Sequence, residues 1–123
     1  MDVDGDELAR RLDDPHLVVL DVRTAAEYAG AAGYSCDARH GHLPGARHLE
    51  LNELLRLDEA ALRERLGDPA EVEVVAYCHS GSRSAMAVAR LRAAGFDARN
   101  YAGSWHEWSA DPSRPVEGPG GGT

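Results

Sequence analysis

The chain has 123 residues, enough for one hydrophobic core of ordinary size and too few for two, so a single domain is expected. Its formal net charge of -8 disfavours nucleic acid and anionic membrane surfaces, which are bound through clustered Lys and Arg. The clearest apolar runs, 17–20 and 74–77, are far shorter than the roughly 20 residues that cross a bilayer, which excludes membrane spans.

The acidic start, with Asp2, Asp4 and Asp6 and no apolar stretch behind them, is the reverse of a secretory leader and predicts a cytoplasmic location. Asp4 or Asp6 then caps a short helix whose apolar positions Leu8, Ala9 and Leu12 recur at helical spacing. Residues 17–22 form a continuous β-rich run without polar alternation, as expected of a parallel strand covered on both faces. Thr24 and Glu27 follow with the spacing of a capping box, which predicts a short helix through Tyr28. Residues 30–41 read as loop, 45–49 as a second strand, and 52–55 as a helical turn. Asp58 caps a further helix that ends near Leu66, where Gly67, Asp68 and Pro69 close it.

Residues 72–77 are the second strong strand, and they lead through a short loop into a helix over 84–94 that Gly95 stops. That helix sets Met86 or Ala87 on one face with Leu91. A short strand over 98–101 and a last turn holding Trp105 and Trp108 complete the pattern. Strands alternating with helices indicate an α/β domain with a mainly parallel sheet, spanning residues 1–110. The remainder, 111–123, is rich in Pro and Gly and reads as a poorly ordered tail.

The loop between the second strong strand and its helix carries the chemistry. It reads Cys78-His79-Ser80-Gly81-Ser82-Arg83-Ser84. Successive backbone N–H groups in a tight turn converge on an anion, the helix start adds its positive end, and Arg83 adds a charge. All three favour the thiolate of Cys78. Gly81 supplies the backbone freedom such a turn demands. The plainer alternative is an inert cysteine buried at a strand end. Cys36 and Cys78 form no C-x-x-C pair, and Cys36 with His40 and His42 matches no common metal-ligand spacing, so no metal site is expected.

Five pieces in order resemble the rhodanese family: Asp21-Val22-Arg23, Glu27-Tyr28, Gly41-His42-Leu43-Pro44-Gly45-Ala46, Tyr77-Cys78 with its loop, and Tyr101-Ala102-Gly103-Ser104-Trp105. The resemblance implies a three-layer fold with a central sheet flanked by helices. It also implies a sulfurtransferase that carries a sulfane sulfur on Cys78 as a persulfide, takes it from a small anionic donor such as thiosulfate, and passes it to cyanide or a thiol without metal or organic cofactor. His79, Ser80, Gly81, Ser82 and Arg83 would wrap the sulfur.

Residues 30–39, the Gly-Ser-Trp-x-Glu-Trp segment ending at Trp108 and Pro115-Val116 look like the catalytic half of tandem thiosulfate/3-mercaptopyruvate sulfurtransferases. That similarity implies a partner domain or a protein sulfur acceptor as further partners. In such relatives an arginine at the place of Arg39 meets the donor, and Trp105 would line the pocket. Arg23 and Glu27 match positions that pair structurally. Related phosphatases place an arginine after five intervening residues, whereas Arg83 follows Cys78 after four, which makes the loop too tight for phosphate. Remaining alternatives are a 3-mercaptopyruvate sulfurtransferase and a non-enzymatic rhodanese module acting as a persulfide carrier or regulatory binding domain.

Overall fold

The computed structural model describes residues 2–118. Five strands, β1 (Asp2–Val3), β2 (Leu17–Asp21), β3 (Arg47–His48), β4 (Glu73–Tyr77) and β5 (Asp97–Tyr101), form one sheet in the order β1-β5-β4-β2-β3, every neighbouring pair parallel. Six helices, α1 (Gly5–Arg10), α2 (Ala25–Ala29), α3 (Leu51–Arg56), α4 (Glu59–Leu66), α5 (Ser82–Ala93) and α6 (Ser104–Ala110), connect and flank the strands. The expected α/β class and central sheet are therefore present.

Alternation along the central strands builds two cores. Val18, Leu20, Val74, Ala76 and Cys78 face one side, with Leu54 of α3, Leu62 of α4 and Ala87 and Leu91 of α5. Val19, Val75, Tyr77 and Tyr101 face the other, with Leu8 of α1 and Trp105 and Trp108 of α6. Helices on both faces explain why β2 and β4 read as unbroken apolar runs. Thr24 and Glu27 make both bonds of the capping box, Asp4 caps α1 and Asp58 caps α4.

Several boundaries differ from the sequence reading. β1 is too short to carry a pattern and exists through its pairing with β5. The expected strand over 45–49 shrinks to Arg47–His48. α5 begins at Ser82, two residues early, so Arg83 lies in its first turn; Ala87 takes the buried place and Met86 is exposed.

The tail expected from residue 111 is the main correction. Val116 is buried among Leu43 and the tryptophans, and Glu117 pairs with His42 through two backbone hydrogen bonds of 2.8 Å. Gly41 makes this approach feasible. Its φ is +130°, and a Cβ there would collide with the Glu117 carbonyl oxygen. Composition signalled the lack of periodicity, but one apolar anchor and a pair of ladder bonds order the segment through 118. Residues 119–123 of the expected tail lie outside the described residues. Among the described residues, no helix is long and apolar enough to cross a membrane.

A buried ion pair joins the parts. Asp21 at the end of β2 binds the Arg23 guanidinium at 3.0 Å from Nε and 2.7 Å from Nη2, and both residues are essentially inaccessible. The Tyr77 hydroxyl donates to the same carboxylate at 2.7 Å and accepts from Leu43 N. Arg23 also donates to the Gly41 carbonyl and lies 5.0 Å from the Trp105 ring centre. Burial beside Asp21 pushes the Tyr77 hydroxyl pKa well above its ordinary value. Removing one member strands a buried charge. Arg23→Met should therefore lower unfolding free energy by about 3–5 kcal/mol in urea titrations, with much of the loss recovered in Asp21→Asn/Arg23→Met; a loss under about 1 kcal/mol would refute this role.

Candidate active site

β4 ends at Tyr77, and the chain turns at once into α5, leaving Cys78 at the floor of the turn with 1% exposure. Gly81 makes the turn with φ +100°, and a Cβ there would sit 2.6 Å from the Ala102 carbonyl oxygen. An L side chain is thus barred by both conformation and space. Asn100 Nδ2 donates to the Gly81 carbonyl at 3.1 Å and holds the turn against β5.

The result is a set of donors aimed at one sulfur. Cys78 Sγ accepts from Gly81 N at 3.1 Å and Ser84 N at 3.4 Å, and the Ser84 hydroxyl lies 3.4 Å away. That hydroxyl is also 3.2 Å from the Gly81 carbonyl, so its single proton serves either acceptor. Burial by itself would raise the thiol pKa. The Ser84 hydroxyl and the N–H groups of Ser84, Gly81 and Ser80 outweigh it, and the Cys78 pKa falls below the ordinary thiol value.

Ser104, missed by the sequence reading, fixes the backbone behind the sulfur. It adopts φ +55°, uncommon for a residue with a side chain, and its hydroxyl accepts from Cys78 N at 3.1 Å while donating to Tyr101 O at 2.8 Å.

The charge expected of Arg83 beside the sulfur is a paired one, within electrostatic reach of Cys78. Its guanidinium pairs with Glu27, at 3.0 Å from Nη1 to Oε1 and 3.3 Å from Nη2 to Oε2. Glu27 therefore meets Arg83, while Arg23 turns back to Asp21; the expected Arg23–Glu27 pairing is corrected on both sides. Thr24, Glu27, Gly33, Tyr34 and Arg83 line an open cleft of about 340 Å³ beside the turn. Cys78 is not in that lining; Arg83, which is, lies within electrostatic reach of its sulfur.

The other expected contacts divide. Ser80 and Ser82 are exposed on the turn. His79 stacks on Tyr34 at 3.8 Å between ring centres, and its Nε2 lies 2.9 Å from Asp37 Oδ1. Arg39 is spent elsewhere: its guanidinium donates to the carbonyls of Ser109, Asp111 and Arg114, with Trp108 O at 3.4 Å. Trp105 is core, covering Arg23 and donating from Nε1 to Arg39 O at 2.9 Å, and it does not line the cleft. Cys36 lies with Asp37, His79 and His106. His42 instead stacks on Tyr28 at 3.8 Å.

Glu27 titrates with a sign that can be tested. Burial would raise its carboxyl pKa, but Arg83 and the Thr24 N–H override that and push it down to about 2, from an ordinary 4.5. A depressed carboxyl adds stability that is complete above the unfolded value and is lost as pH falls from about 4.5 towards 2. Glu27→Gln should cost about 1–2 kcal/mol near pH 6, after allowance for solvent at the partly exposed Arg83, and the difference should shrink by pH 3. Urea unfolding of both proteins at the two pH values checks this; a difference independent of pH would show that the ion pair does not contribute.

Comparison with known proteins agrees with this geometry. The Rhodanese-like domain profile matches residues 4–111. A thiosulfate sulfurtransferase of Pseudomonas aeruginosa is 35% identical over 119 residues, covering 89% of this chain and 43% of the relative. A probable 3-mercaptopyruvate sulfurtransferase of the same organism is 37% identical over 128 residues, covering 93% and 43%. The crystal structure of a probable thiosulfate sulfurtransferase superposes with a TM-score of 0.76 at 39% identity, covering 94% of this chain and 46% of that one. The chain thus spans less than half the length of these relatives. With a cysteine at the end of a central parallel strand, a donor-lined turn and a profile match over most of its length, the chain belongs to the rhodanese family.

Proposed function

We propose that the chain is a sulfurtransferase that moves a sulfane sulfur from thiosulfate to cyanide or a thiol through a persulfide on Cys78. The observation that carries this reading is the convergence of Gly81 N, Ser84 N and the Ser84 hydroxyl on Cys78 Sγ, which favours a sulfur anion in a buried place. In the first half of the reaction the thiolate attacks the outer sulfur of thiosulfate. The S–S bond of the donor breaks, sulfite leaves with its electron pair, and Cys78 becomes a persulfide. In the second half cyanide or a thiolate attacks the outer sulfur, the Cys–S–S bond breaks, and the Cys78 thiolate returns. The same donors serve both states, and Ser80 and Ser82 are the exposed residues beside them.

Arg83 supports thiosulfate as the donor. Its side chain is 30% exposed at the open cleft, where a compact dianion would meet it in an otherwise acidic protein. Glu27 pairs with Arg83 and reduces its net field, so the arginine acts as a local guide and the larger part of thiol activation falls to the turn. The carboxylate of 3-mercaptopyruvate would call on Arg39, and that guanidinium is committed to backbone carbonyls.

Incubation with thiosulfate should add one sulfur atom to wild type and to Cys36→Ser by intact mass spectrometry, and none to Cys78→Ser. Sulfur on the Cys78→Ser protein would overturn the assignment. Side-by-side kcat/KM measurements should favour thiosulfate over 3-mercaptopyruvate by tenfold or more, about 1.4 kcal/mol in transition-state binding. The reverse ratio would replace the donor and leave the persulfide route standing.

A further inference from the structure

We propose that Cys36, Asp37, His79 and His106 form a binding site for a divalent cation of the zinc class, beside the cleft and next to the Cys78 turn. Three segments, at 36–37, 79 and 106, place one thiol sulfur, one carboxylate oxygen and two imidazole nitrogens all within 4.8 Å of one another. Asp37 is the hub. Its side chain is 1% exposed, and its Oδ1 lies 2.9 Å from His79 Nε2 and 3.2 Å from His106 Nδ1. The two imidazole rings stand 5.3 Å apart and are inclined at 60°, so their nitrogens approach Asp37 from different directions.

The donor set fits such an ion in charge, number and softness. A thiolate and a carboxylate neutralise a 2+ charge, and two neutral imidazoles complete four ligands. Bonds of about 2.0–2.3 Å to a tetrahedral centre imply ligand atoms about 3.3–3.6 Å apart, so the widest pair closes by up to about 1.5 Å, while the 2.9 Å and 3.2 Å contacts of Asp37 with the two imidazoles open slightly. Sulfur and imidazole select zinc or cobalt over magnesium or calcium, which prefer oxygen alone. On binding, Cys36 gives its proton to solvent and the hydrogen bonds between Asp37 and the imidazoles give way to bonds with the ion. Cys36 and His106 are exposed, which leaves a route in from solvent.

None of the four ligands lines the cleft, but Tyr34, which does, stacks on His79. The ion would therefore tie residues 36–37, the turn after Cys78 and α6 into one block behind the Tyr34 wall of the cleft. The sequence reading considered Cys36 with its neighbours His40 and His42; the chain folds so that the imidazoles come from 79 and 106.

Cobalt(II) is the probe, titrated into the full chain after treatment with a chelator. Wild type should bind one equivalent with micromolar or tighter affinity, giving the visible bands of tetrahedral cobalt and a near-ultraviolet thiolate-to-cobalt band, and zinc should displace it. Cys36→Ser should lose the thiolate band, and both Cys36→Ser and His106→Ala should weaken binding at least tenfold while keeping the wild-type circular dichroism. Cys78→Ser should retain the full spectrum, which separates this site from the proposed persulfide. Absence of stoichiometric binding by wild type, survival of the thiolate band in Cys36→Ser, or its loss in Cys78→Ser would each overturn the proposal.

Discussion

The Asp21–Arg23 pair is the constraint around which the domain is assembled. A guanidinium with 2% exposure is tolerable only when its donors are satisfied, and here the satisfying groups come from separate parts of the chain: the Asp21 carboxylate from β2 and the Gly41 carbonyl from the long loop. Tyr77 of β4 shares the carboxylate, and Trp105 of α6 covers the cation. Two of these contacts fix something next to Cys78, and the third orders the long loop. Tyr77 precedes it, Trp105 N donates to its carbonyl at 2.9 Å, and Gly41 starts the segment that receives Glu117. A hydrophobic substitute for the pair would fill volume, but it would not specify where the loop and α6 meet the end of the sheet.

Next to this charged knot, the sulfur site relies on neutral groups. Arg83 in the first turn of α5 and the buried Arg23 are each paired with a carboxylate, Arg23 with Asp21 and Arg83 with Glu27. What remains for Cys78 is a ring of backbone N–H groups and one hydroxyl, oriented by a glycine that no other residue can replace without strain. Fixed dipoles of this kind stabilise an anion without offering a competing permanent counterion. That division explains how a strongly acidic chain can favour a thiolate.

Much of this was legible in the sequence because the controlling interactions are short in range. The β2 and β4 runs, the Thr24–Glu27 box and the Asp58 cap all lie within a few residues, and each took its expected form. The errors cluster where a residue's partner is distant. Arg83 reaches Glu27 across 56 positions, Arg39 reaches the carbonyls at 109–114, and Asp37 gathers imidazoles from 79 and 106. No periodicity announces such pairings. Ser104 was hidden for a different reason: its importance lies in a positive φ, which sequence patterns assign to glycine, and Gly103 stands next to it as the more obvious candidate.

The Ser84 hydroxyl has a consequence of its own. With one proton and two acceptors in reach, Sγ at 3.4 Å and the Gly81 carbonyl at 3.2 Å, it is a rotor with two stops. When the sulfur is anionic the rotor points to Sγ; when the sulfur is neutral it swings to the carbonyl, and no group is left orphaned in either position. The polarity around the sulfur can thus follow its charge through the turn of a single O–H bond, while the backbone of the turn stays still.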